Sequence, residues 1–263
     1  MAIAGIVLCA DDYGIAPGVS QAIRDLLERG RLSATSCMVV SPDFAAEGPL
    51  LKPFLDRADI GLHLTLTLDR PLASLMQAAY LRRFDRQAIA VEIERQIESF
   101  SRVLGRGPDF IDGHQHVHLL PGVREPVLAA AKKTGAYLRV SDEPLGAILG
   151  TRVAAGKSLF LSLMARPMAR LVAKGGIRRN SGFRGARSFA ERESFRALFQ
   201  RMIEGSPAGT IVMCHPGLVD AALAGRDSVT ASREDEYRYF LSEEFLADLA
   251  AANLRLSRLK DAA

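Results

Sequence analysis

The stretch Asp112-Gly113-His114-Gln115-His116-Val117-His118 holds three of the five histidines in a chain of 263 residues. Neutral imidazole offers a lone pair near neutral pH, which makes histidine the commonest metal ligand. Residues two apart in an extended segment point to the same side, so a strand here would put His114, His116 and His118 on one face. An alternating triplet behind an acid and a glycine fits metal binding better than a plain polar strand face. The spacing admits any of the three as a ligand. His63 and His215 each end an apolar run, and Asp11-Asp12 ends another. Each has an ordinary reading when taken singly: Asp11-Asp12 as a helix cap, His63 as a core histidine, and His215 before Pro216-Gly217 as part of a turn. Their joint occurrence carries the argument.

The elements that must position these residues alternate along the chain. Strands are expected at Ile3–Ala10, Ala34–Val40, Ile60–Leu68, Phe110–Asp112, Tyr137–Ser141, Thr210–Cys214 and Leu254–Leu259. Helical spacing marks Pro17–Arg29, Ala88–Leu104, Val123–Lys133 and one long helix over Ser232–Ala252. Gly30, Gly105 and Gly135 act as stops for the first three. Ser188 and Glu191 read as a capping box for a helix through Ile203. Strands alternating with helices imply a parallel sheet. About seven of them suit a single-domain distorted (β/α) barrel over residues 1–263, with a doubly wound sheet as the alternative. In either fold the candidate residues fall at the C-terminal ends of strands, where parallel sheets build their sites.

The composition sets bounds. A hydrophobic content of 48% is ordinary for a globular chain, and a net charge of +4 is too mild to imply nucleic acid. There is no Trp, so aromatic stacking on bases is not advertised, and no nucleic-acid partner is expected. Cys9, Cys37 and Cys214 lie in apolar runs without CxxC spacing, which fits buried thiols in a cytoplasmic protein. Met1–Ala10 reads as a first strand rather than a signal peptide, and no uncharged run approaches the ~18 residues of a membrane span.

Charge is unevenly spread. Residues 144–190 carry nine basic residues and no acid, leaving about −5 on the rest of the chain (+4 minus +9). The run Leu159–Val172 mixes apolar residues with Arg166 and Arg170, and Pro167 is expected to kink or split any helix there. The plain reading is a solvated, Arg-rich cover on the barrel. The sharper one is an interfacial segment, within 152–187, that meets anionic lipid at the inner membrane surface.

Five motifs in order carry a family resemblance: Ala10-Asp11-Asp12-Tyr13-Gly14, Thr35-Ser36, Gly61-Leu62-His63-Leu64-Thr65, Asp112 to His118, and Met213-Cys214-His215-Pro216-Gly217. Together they resemble the YdjC-like family, which includes chitooligosaccharide deacetylases and hopanoid-associated deacetylases. The resemblance runs from about residue 3 to 259. It implies a barrel related to the polysaccharide deacetylases and one divalent metal ion held by an Asp and two His. Carried over by position, the ligands would be Asp12, His63 and His114, with Asp11 as catalytic base and His215 as general acid or oxyanion stabiliser. His116 and His118 are expected either behind the ligands or against substrate, and, apart from the resemblance, Arg139, Asn180 and Phe183 are expected to line the substrate pocket. The family is usually described with Mg²⁺, whereas two imidazoles suit Zn²⁺ or another transition ion. Tyr13 departs from the more common Phe, and the basic stretch departs further.

The reaction so implied is hydrolysis of an N-acetyl group on an amino sugar, as an oligosaccharide or a lipid-linked glycan. Two other classes remain in view. A barrel phosphoesterase would use similar ligands but tends to need two metals. A non-catalytic carbohydrate-binding protein with a structural metal would have no use for Asp11 beside Asp12. A homodimer is consistent with the sequence but not marked by it.

Overall fold

The computed structural model describes residues 3–68, 70–188 and 193–262. Eight strands form its sheet: β1 Ala4–Tyr13, β2 Ala34–Cys37, β3 Asp59–Leu64, β4 Phe110–Gly113, β5 Tyr137–Leu138, β6 Gly182–Arg184, β7 Thr210–Cys214 and β8 Leu254–Leu256. Every pairing is parallel, in the order β5-β4-β3-β2-β1-β7-β6, with β8 against the start of β1. Seven of the strands fall where hydrophobic runs place them. The eighth, β6, lies in the basic segment, where its three residues carry no strand signal of their own.

β1 is the axis of the sheet. Ile6 to Ala10 have no exposed surface, because both faces of the strand are covered. Its residues divide by parity. Val7 and Cys9 pack with Ala34, Phe110, Tyr137 and Ile211 inside the barrel, while Ile6, Leu8 and Ala10 join the larger core beneath the helices. The strand register continues this inner parity upward, from Cys9 to Asp11, Ala34 to Ser36, Gly61 to His63, Phe110 to Asp112 and Tyr137 to Arg139. The next inward layer toward the C-terminal ends is therefore polar.

The two ends of the sheet nearly meet. Leu138 forms a parallel bridge with Arg179, just ahead of β6. Asn180 closes the seam with its side chain: Oδ1 accepts from the Val140 amide at 2.8 Å, and Nδ2 donates to the Val140 and Gly182 carbonyls at 2.9 and 2.8 Å. A side-chain amide here replaces a rung of backbone pairing. The result is a distorted barrel, as the strand count suggests.

Several local expectations are corrected. The histidine run is not extended: β4 ends at Gly113, and His114–Leu119 winds into a 3₁₀ turn with Gln115 and His116 at φ of 51° and 60°. Pro167 does not split its helix, which runs unbroken over Ala155–Gly175. The long C-terminal helix is two, Ala231–Leu241 and Glu243–Ala251. Ser242 breaks it because its hydroxyl accepts from the Phe245 amide and caps the second helix. The helix through Ile203 begins at Phe195 behind Ser194, which accepts from Ala197 N, while Glu191 of the expected capping box lies outside the described residues. β2, β3, β5 and β8 also end earlier than their apolar runs, at Cys37, Leu64, Leu138 and Leu256.

Candidate active site

Successive residues of a strand point to opposite faces, so Asp11 and Asp12 should not both face the cavity. They do so because the β1–β2 register shifts between Ala10 and Tyr13 and Asp12 adopts φ 70°. A bulge of this kind re-aims a side chain. Neither acid caps the following helix, whose N-cap is Ala16, without a side-chain bond.

Asp12, His63 and His114 converge. Their candidate ligand atoms all lie within 4.8 Å of one another. Asp12 Oδ1 is 3.3 Å from His63 Nε2 and 3.0 Å from His114 Nδ1. Its other oxygen accepts from Arg233 Nη2 at 2.6 Å, and the same nitrogen donates to Asp227 at 2.6 Å. One oxygen of Asp12 is thus free to face the imidazoles. His63 Nδ1 lies 2.6 Å from Asp112 Oδ1 and 3.0 Å from Ser36 Oγ. Such a carboxylate–imidazole bond turns Nε2 toward the cluster and raises ligand basicity.

Asp11 stands beside the cluster but is held differently. Arg139 donates to both its oxygens, at 2.6 and 2.8 Å, and also pairs with Asp112 at 2.9 Å. Asp11 Oδ2 lies 3.9 Å from His63 Nε2, on the ligand side. His215 follows β7, and its backbone amide donates to Glu236 Oε2 at 2.6 Å. Arg187 pairs with the other oxygen of Glu236.

The electrostatics follow from this crowding. Burial would raise the Asp11 and Asp12 carboxyls, but Arg139 with His63, and Arg233 with His114, outweigh it and hold both well below the usual range. Burial opposes charge on His63, yet Asp112 and Asp11 outweigh it and push its pKa up to about 10. Burial pulls His215 down against the opposing pull of Asp12 and Asp11.

The donor set fits a divalent cation. Three buried carboxylates, of Asp11, Asp12 and Asp112, face two buried guanidiniums, of Arg139 and Arg233, and the third negative charge is met by a proton on His63 that a cation would displace. One carboxylate and two imidazoles leave further coordination positions toward the cavity, as a catalytic site requires. A second cluster, Cys9 with Asp11 and Asp112, is already filled by the Arg139 guanidinium.

These residues line one end of a cavity of about 470 Å³. Asp11, Asp12, His63, His114, His116 and His215 all border it. Apolar side chains line it as well, among them Leu72, Met76, Phe160, Leu161 and Met164. Gly185 borders it too, at φ 103°, where a Cβ would sit 2.1 Å from the Met213 carbonyl oxygen, so no other residue fits without moving β7. His118, Arg139, Asn180 and Phe183 do not border this cavity. Arg139 is fully buried beneath Asp11, and His118, also without exposure, donates from Nε2 to the Arg139 carbonyl at 2.9 Å. Asn180 closes the barrel seam. The Phe183 ring is buried and meets the edge of His116, with centroids 6.0 Å apart.

A family model described as YdjC-like protein matches residues 5–251. The chain belongs to the YdjC-like family. Curated relatives named chitooligosaccharide deacetylase, from Yersinia pestis and Yersinia pseudotuberculosis, are 36% identical over 151 residues, covering 51% of this YdjC-like chain. That match spans 58% of the relatives' own length. Among solved structures, a candidate cellobiose-phosphate cleavage protein of Enterococcus faecalis V583 matches over all of both chains, with a TM-score of 0.74 and 21% identity. The Bc1960 peptidoglycan N-acetylglucosamine deacetylase matches over 98% of this chain and 87% of its own, with a TM-score of 0.55 and 11% identity. At these identities the structural matches show a shared fold and nothing beyond it.

The partners of the YdjC-like site that sequence reasoning left without a role are Ser36, Asp112, Asp227, Arg233 and Glu236. Ser36 and Asp112 carried a signal, since both share the inward parity of their strands. Arg233 carried none: it comes from a helix 221 residues away from Asp12.

Proposed function

We propose that this protein is a metal-dependent hydrolase that removes the N-acetyl group from an acetylated amino sugar, presented as an oligosaccharide or on a lipid. The observation that carries this reading is Asp11. It lies at the cluster of Asp12, His63 and His114, yet Arg139 holds it as a separate carboxylate. A purely structural metal site has no use for an aimed spare base. The name of the Yersinia relatives supports the same chemistry.

A divalent cation held by Asp12, His63 and His114 would polarise the acetyl carbonyl and acidify water. Asp11, ionised at all working pH, accepts the proton at Oδ2, which retains a lone pair beside its bond to Arg139. Arg139 fixes the carboxylate plane, so orientation is set before substrate arrives. His215 is uncharged at rest because of its burial. To act as general acid it must first take up a proton, either the one Asp11 removed from water or one from solvent, and then pass it to the departing amine nitrogen. The imidazole-rich set favours Zn²⁺ or another transition ion over Mg²⁺.

A two-metal phosphoesterase fits less well, because Arg139 occupies the place between Asp11 and Asp112 that a second ion would need. The deciding experiment is acetate release by metal-reconstituted protein from a panel of N-acetylated sugars, free and lipid-linked, with His114→Ala as control. Release that the variant abolishes supports the reading. No release from any member by protein carrying one metal per chain overturns it.

A further inference from the structure

We propose that the outer face of helices Leu145–Thr151 and Ala155–Gly175 is a docking surface for an anionic lipid bilayer. The inference goes beyond the chemistry of the site and does not depend on it. Leu145, Leu149, Leu159, Phe160 and Leu163 are 38–59% exposed, and they make up five of the thirteen exposed large hydrophobics among the described residues. Leu145 and Leu149 are four apart on one helix, as are Leu159 and Leu163 on the other, so each pair shares a face. The stripe from Leu159 and Leu163 continues along the same face as exposed Arg166, Arg170 and Lys174. One helix face is thus apolar over its first half and basic over its second.

That distribution suits a lipid interface, where apolar side chains enter the acyl boundary and basic ones stay at the headgroups. Arg166, Arg170 and Lys174 form no ion pair with another described residue, and no acid occurs between residues 144 and 190. An anionic surface supplies the missing counter-charge. A second copy of the chain would bring these cations face to face with nothing to offset them. Nucleic acid would leave the leucines without a partner. The patch also runs into the cavity: Phe160 is exposed and lines it, together with Leu161 and Met164. Docking would therefore turn the cavity mouth to the bilayer. No described helix is long and apolar enough to cross a membrane, so the contact is peripheral.

The test is flotation of the full chain with vesicles of phosphatidylcholine alone, and of phosphatidylcholine mixed with phosphatidylglycerol, at low and high salt. The protein should float only with the mixed vesicles, and less at high salt as screening sets in. A Leu149→Ser, Leu159→Ser, Leu163→Ser variant should bind at least ~10-fold more weakly, and so should Arg166→Glu, Arg170→Glu. Both change exposed side chains and should melt like the parent. His114→Ala should float like the parent, which separates this surface from the proposed activity. Three results would overturn the proposal: no flotation of the parent with mixed vesicles, equal flotation of both surface variants, or a solution dimer that the triple leucine variant dissociates.

Discussion

Arg139 holds Asp11 through both carboxylate oxygens, with neither side chain more than 2% exposed. The guanidinium fork fixes the plane of the carboxylate, which a single ammonium cannot do. Arg139→Lys should therefore retain the fold and the metal while kcat falls by ~10²-fold, with little change in KM. Arg139→Met removes the buried cation that pairs Asp11 and leaves Asp112 only its bond to His63, and should destabilise by about 3–5 kcal/mol. Parallel measurement of kcat, metal content and urea unfolding separates the two effects. Unchanged kcat in the lysine variant would refute the positioning role.

Asp11→Asn should lower the rate by ~10²–10⁴-fold, the usual worth of general acid–base help, and leave one metal ion per chain. Elemental analysis alongside acetate release checks both parts. Loss of the metal would make Asp11 a ligand rather than a base.

Asp112 touches His63 and not the cavity, so its role should appear in affinity. Asp112→Asn removes the charge that orients and polarises the His63 ring. A ~10–100-fold weaker metal dissociation constant is expected, with activity restored at saturating metal. Competition against a chelating dye gives the constant.

Metal loading should release a proton. Without a cation, His63 keeps its proton up to about pH 10, shared with Asp112 and Asp12. A ligand must be neutral, so binding displaces about one proton and tightens as pH rises toward that value. Calorimetry in two buffers of different ionisation enthalpy measures the release. A value near zero would remove His63 from the ligand set.

His118 should make stability fall in acid. Burial lowers its pKa to about 4 in the fold, against ~6.5 in an unfolded chain. Between those values the unfolded state binds more protons, so stability is full above ~6.5 and declines as pH drops toward 4. The difference amounts to about 3 kcal/mol. His118→Gln keeps a donor for the Arg139 carbonyl but cannot titrate, so its unfolding free energy should depend less on pH across that window. Parallel curves for both proteins would contradict the assignment.

The strands and the end of the barrel that carries the site are legible because buried parallel strands write continuous apolar runs that stop at polar residues. Inward parity, read from Cys9, Ala34, Phe110 and Tyr137, also points to Asp11, Ser36, Asp112 and Arg139 as one layer. The histidine triplet misleads because period-two spacing presumes extended backbone, and Gln115 and His116 lie at positive φ. His114 then faces the cluster, His116 the cavity, and His118 the interior. Pro167 misleads for another reason. The carbonyl it leaves without an amide partner belongs to Leu163, on the solvent side, where water can complete it. Arg233 and Asp227 are set by tertiary packing alone.

The bulge at Asp12 puts the proposed ligand and the proposed base on adjacent residues. One peptide unit sets their backbone separation, and Arg139 and Arg233 then fix the two carboxylates. When the barrel breathes, His63, His114 and His215 can drift relative to β1, but Asp11 and Asp12 travel together like the jaws of a locked caliper. The distance from cation to base is therefore the dimension of this site least sensitive to temperature or to substitutions in the helices. Metal affinity, which depends on three strand ends meeting, should weaken first on heating.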